Sequence, residues 1–137
     1  MRASANDDDP EPDASGQSIA VSAEALYLAN LLLLPGLAFL ALLVLWFAHR
    51  RDMPPLGRCH LRQTLSASVW AGVILVLANA LIFALGGYHQ PATWIVVILY
   101  FTICHSTLVL LGILGLARAM AGKNYVYPLI GRPCNDS

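Results

Sequence analysis

Three stretches free of Asp, Glu, Lys and Arg decide what this sequence can fold into: residues 25–48, 65–85 and 92–117, which are 24, 21 and 26 long. A hydrocarbon core about 30 Å thick is crossed by roughly 20 apolar helical residues, so each stretch is long enough to span a bilayer. The rest of the chain offers no counterweight. Of 137 residues, 58% are hydrophobic and 12% charged, against about half and a quarter in soluble domains. A domain this small buries too little of itself to hide that much apolar area from water. The sequence therefore predicts an all-α integral membrane protein of about three transmembrane helices, with the lipid bilayer as its first partner.

The breaks between the stretches set the organisation. Pro35-Gly36 lies in the middle of the first one. Proline there removes a helical hydrogen bond and clashes with the preceding turn, which predicts a kinked span. The alternative is a re-entrant hairpin that enters and leaves on one side. The kink is favoured, because a hairpin apex in lipid needs cover for its backbone. Pro54-Pro55 and the charges around them mark a loop before the second span. Gly86-Gly87 ends that span, and the short link to Pro91 predicts an antiparallel pairing of the second and third. Ahead of all this, residues 1–23 carry Asp7, Asp8, Asp9, Glu11 and Asp13 between prolines. Such a run buries too little to offset its ordering entropy and reads as a disordered acidic tail. Residues 24–132 form the membrane domain, and 133–137 a flexible C-terminus.

Net charge is zero, yet the cations are unevenly placed. Arg50, Arg51, Arg58 and Arg62 lie in the first loop, and Arg118, Lys123 and Arg132 follow the third span. The positive-inside rule puts both regions in the cytoplasm and, for three spans, the N-terminus outside, in a cell inner membrane. No basic patch with interleaved aromatics supports nucleic-acid binding. Arg50, Arg51, Arg58, His60, Arg62, Tyr125, Tyr127 and Pro128 make up the expected cytoplasmic contact face. Gly122 is placed to stop the last helix.

Chemistry is sparse. His105, Cys104 and Asn79 are polar residues inside spans, where burial is expensive and often functional. Helix packing explains them as well, since such side chains bond across helices. His49, Cys59 and His60 gather at the cytoplasmic mouth, but adjacent Cys59 and His60 are awkward joint ligands. No HxxxH or ExxH pair appears on any helix. Three cysteines without a CxxC pair argue against a disulfide framework and exclude a zinc ribbon. After Glu24 the only acids are Asp52 and Asp136, which leaves no paired carboxylates, and no GxSxG elbow or phosphate loop appears. The expectation is a protein that is not an enzyme and carries no cofactor. Ser68 with Gly72, Ala80 with Ala84, and Gly112, Gly115 and Ala119 form small-residue faces that let helices approach closely.

The ending Ala119 to Leu129, A-x-x-G-K-x-Y-x-Y-P-L, resembles the C-terminal signature of a bacterial family of small membrane proteins of unknown function, itself similar to the Tic-type import component of chloroplasts. The middle agrees: a Pro-Gly break, a basic Asp-containing loop, and His60-Leu61-Arg62-Gln63-Thr64-Leu65-Ser66, in which His60 and Arg62 match while Gln63 replaces an acid and Ser66 an asparagine. The resemblance covers about residues 26–132 and implies three or four spans. The leading expectation is a non-enzymatic accessory or structural subunit acting through helix–helix contacts, with other membrane subunits or as a homo-oligomer. A Tic-like translocation element using Pro35, Gly36, Asn79 and His105 is the alternative. A metal- or haem-handling protein using Cys59, His60, Cys104 and His105 is the second.

Overall fold

A computed structural model describes residues 14–134. The acidic run from Asp7 to Asp13, read above as a disordered tail, lies outside the described residues, as do residues 135–137. Four helices account for most of the rest: α1 (Ala14–Leu32), α2 (Leu37–His49), α3 (Pro55–Ala84) and α4 (Pro91–Met120). Within α4, residues Tyr100–His105 are wound as a π-helix between the α-helical Pro91–Leu99 and Ser106–Met120.

Local chemistry explains the boundaries. Pro55 and Pro91 open α3 and α4 at a position where a missing N–H costs nothing. Gly86 and Gly122, with φ of 101° and 65°, take the left-handed conformation that ends both helices. In each case two amides turn back on the last turn. Gly87 N–H donates to Ile82 O at 2.9 Å, and Lys123 N–H to Arg118 O at 2.9 Å. This is the doubly bonded glycine stop expected there.

The first apolar stretch does not run as one continuous helix. Gly36 has φ +87°, which a right-handed helix cannot accommodate, so Pro35-Gly36 reverses the chain instead of bending it. Two contacts place the start of α1 at one end of the molecule. The Cβ position of Gly57, in the first turn of α3, lies 3.0 Å from Ile19, and Gln17 Nε2 donates to Met120 O at 2.7 Å. From there α1 runs alongside α3 and against the second half of α4, where the Tyr27 hydroxyl donates to Leu108 O at 3.2 Å. The Pro35-Gly36 turn lies level with Gly72 and Leu75, in the middle of α3. The chain returns through α2 to the start of α3.

The three-span expectation is therefore corrected. Two helices, α3 and α4, are long and apolar enough to cross a membrane, each of 30 residues. The first stretch is the hairpin given above as the alternative to a kinked span. Its apex meets the cost of bare backbone in lipid internally, because Asn30 Oδ1 accepts the Gly36 N–H at 2.9 Å. An outside N-terminus was tied to three spans; instead α1 begins where α4 ends. The tail boundary at residue 23 moves too. Residues 14–23 are helical, and Ala20 and Ala23 are fully buried.

The core lies at the end shared by α1, α3 and the close of α4. Ala23, Tyr27, Leu42, Met53, Leu61, Ala67 and Tyr127 pack there, with Trp46 against them. Toward the far end the helices turn apolar side chains outward, among them Val76, Phe83, Trp94 and Ile98. A surface of that kind is stable against lipid and sticky in water.

Candidate functional site

A polar cluster lies inside this core. Glu24 of α1 and His60 of α3 are both fully buried, with His60 Nδ1 2.7 Å from Glu24 Oε1. The other ring nitrogen, Nε2, is 3.0 Å from the Lys123 carbonyl. A carbonyl only accepts, so Nε2 carries a hydrogen. Glu24 Oε2 accepts from the Tyr127 hydroxyl. Burial and the neighbouring carboxylate push the Tyr127 phenol far above its ordinary value, so it stays protonated and remains a donor. Both carboxylate oxygens are thus paired, as a buried charge requires.

Small residues make room for the cluster. A Cβ on Gly115 would sit 2.5 Å from Glu24 Oε2, and one on Gly112 would sit 2.8 Å from the Tyr27 ring. The small-residue face of α4 is thereby the seat of α1 within the chain. Gly72, the other singled-out glycine, has nothing within 4 Å of its Cβ position.

The segment after α4 straps across the first turns of α3. Besides Lys123 on His60 and Tyr127 on Glu24, Ser66 Oγ donates to Ile130 O at 2.9 Å. Gln63 accepts the Arg132 N–H at 3.0 Å and donates to the Arg132 carbonyl. Cys134 is joined to Cys59 by a disulfide, with Cα atoms 5.3 Å apart. This corrects two expectations. The odd cysteine count hid one bridge and one free thiol, Cys104, and the stretch from residue 133 is held rather than loose, at least through Cys134.

The expected contact face is split. Arg50, Arg51, Arg58, Arg62 and Pro128 are exposed and Tyr125 is half-buried. His60 and Tyr127 are buried at 0% and 1% exposure and belong to the core instead. The reason is Glu24: an acid inside a helix bundle draws a ring nitrogen and a phenol inward. Glu24 and Tyr27 were not singled out from the sequence, and Gln63 only as a departure from the family motif, although a lone acid at the mouth of a long uncharged stretch was a signal. The polar residues inside the spans do not converge. Asn79 bonds the Leu75 carbonyl at 2.9 Å and the Tyr88 hydroxyl. Cys104 and His105 lie in the π-helical stretch, and His105 lines a different cavity from Asn79. Among the described residues no three His, Cys, Asp or Glu side chains are grouped to hold a metal ion, and Cys59 is committed to its disulfide.

Fold and cluster together define a small helical membrane protein closed at one end by a buried polar staple. The chain belongs to the magnetosome magnetite crystal formation protein family (MamF/MmsF), whose family model matches residues 17–133. That span takes in α2, α3 and α4, all of α1 but its first three residues, and every member of the cluster. It is a family of bacterial small membrane proteins, as the closing motif implied, and the Tic-type likeness finds no support in it. No curated protein and no solved structure matches the chain.

Proposed function

We propose that this chain is a non-enzymatic accessory protein of the magnetosome membrane that serves magnetite crystal formation by organising other membrane subunits, or further copies of itself, through helix contacts. The observation that carries the reading is the family match over residues 17–133. The buried cluster supports a structural rather than a catalytic role. Glu24 and His60 are fully buried and Tyr127 is 1% exposed, so no substrate reaches them. The outward apolar faces of α3 and α4 supply the contact surface, and Gly72, open on its outer side, allows close approach of another helix. The exposed arginines 50, 51, 58 and 62 support a cytoplasmic placement of this end by the positive-inside rule, whereas the Cys59–Cys134 bridge at the same end favours an oxidising compartment. The hairpin puts the start of α1 at this end too.

The test is made in a magnetite-forming cell from which the chain has been deleted. Crystal number, size and shape are measured by electron microscopy, then again after return of the wild type or of Gly72→Leu. Altered crystals, restored by the wild type and not by the variant, support the reading. Crystals unchanged by deletion sink it. Co-isolation of partner polypeptides from gently solubilised membranes identifies what the helices hold.

A further inference from the structure

One cavity inside the membrane domain carries polar side chains that no part of the fold uses. It measures about 420 Å³ and lies between the Pro35-Gly36 turn, the middle of α3 and the π-helical stretch of α4. That volume falls in the range of small-molecule sites. Its walls are mostly apolar and aromatic, with Phe39, Tyr100 and Phe101 among them. Ser68, Asn30 and His105 are its polar members.

Three features of these walls point the same way. Ser68 is 5% exposed, and its hydroxyl is the one buried side-chain polar atom without a hydrogen-bond partner among the described residues. Buried hydroxyls are nearly always paired, and an orphan calls for an explanation. His105 is half-buried and has ring neighbours, Phe101 at 5.2 Å and Tyr100 at 6.4 Å, while neither ring nitrogen has a partner among the described residues. Finally, His105 closes a π-helical segment, Tyr100–His105. Such segments are rare and recur at functional sites. Asn30 is already occupied by the Gly36 amide, so the free polar capacity of the cavity is the Ser68 O–H and a His105 N–H, with the Tyr100 phenol on the same wall.

The geometry points to a binding site for a membrane-dissolved amphiphile that presents a carbonyl oxygen to Ser68 and His105 and lays an apolar body against the aromatic wall. Hydrogen donors lining one mostly apolar cavity favour a ligand that brings an acceptor. A change of χ1 rotamer offers the Ser68 proton in three staggered directions. Val69 and Gly72 line the cavity and are exposed on the outer side, so the ligand enters from lipid. The carbonyl belongs either to a quinone ring or to the acyl ester of a phospholipid.

The full chain, purified in a maltoside detergent that lacks carbonyls, is titrated with decylubiquinone, with an ester-linked phospholipid, and with the matching ether-linked phospholipid. Retained adducts are read by native mass spectrometry. One equivalent of decylubiquinone marks the quinone source. Retention of the ester lipid over the ether lipid marks the lipid source. Either should weaken by about tenfold or more in Ser68→Ala and in His105→Phe, with helix content and melting temperature held near wild type. Ester and ether lipids retained alike with no quinone bound, or undiminished retention in both well-folded variants, overturns the proposal.

Discussion

Glu24 and His60 meet at 2.7 Å with neither side chain exposed, and they come from helices that are brought together only when α1 folds back alongside α3. Removing one member leaves the other buried and unpaired, which costs about 3–5 kcal/mol, whereas replacing both with apolar residues of similar size is far milder. His60→Leu and Glu24→Leu should each lower unfolding stability in detergent by that order. The double variant should regain much of it. Equal losses in all three would mean that the pairing is not what matters.

Gly115→Ala should destabilise by about 1–3 kcal/mol through overpacking, because its new methyl falls 2.5 Å from the Glu24 carboxylate. Gly72→Ala should be neutral or stabilising by up to about 1 kcal/mol, since nothing lies within 4 Å of it. Melting temperatures of the two variants side by side check the contrast.

Reduction of the Cys59–Cys134 bridge, which spans 75 residues of sequence, should cost about 2–4 kcal/mol. Denaturant midpoints with and without reductant measure this. Cys134→Ser should match the reduced wild type and ignore the reductant.

Tyr127 gives a signed pH dependence. Its phenol is raised above the ordinary 10.0 by burial first and by the Glu24 carboxylate second. The folded state therefore holds a proton that the unfolded chain releases. The stabilisation is complete below about pH 10 and declines above it, by at most about 1.4 kcal/mol per pH unit. Tyr127→Phe should be less stable at pH 8 and show a flatter decline between pH 10 and 11.

The hairpin is tested by side-specific labelling. Ser18 and Lys123, both exposed, should after replacement by cysteine react with an impermeant reagent from the same side of a sealed vesicle. Labelling from opposite sides would restore a full first span.

Much of the fold was legible, because length and charge-free runs are properties of a segment alone. Both long helices, the glycine stops at Gly86 and Gly122, and their antiparallel pairing follow from local chemistry. The reversal at Pro35-Gly36 was harder. Proline predicts only a lost hydrogen bond, and whether the chain bends or turns back depends on the positive φ of Gly36 and on Asn30 capping its amide. The cluster was least visible. His60 and Tyr127 read as surface residues among arginines, and only the distant Glu24 draws them inward. Cys59 and Cys134 lie too far apart in sequence for spacing to pair them.

The strap imposes an order on synthesis. Glu24 can find His60 once 36 further residues have been made, but Tyr127 lies 103 residues beyond it. Until that phenol arrives, one carboxylate oxygen has to keep its water. The nascent bundle must therefore stay wet at this end while both long helices enter the bilayer. Drying of the core, and with it cooperative stability, is a late event set by the last dozen described residues. A chain released before Tyr127 would have its helices inserted and its interior still open.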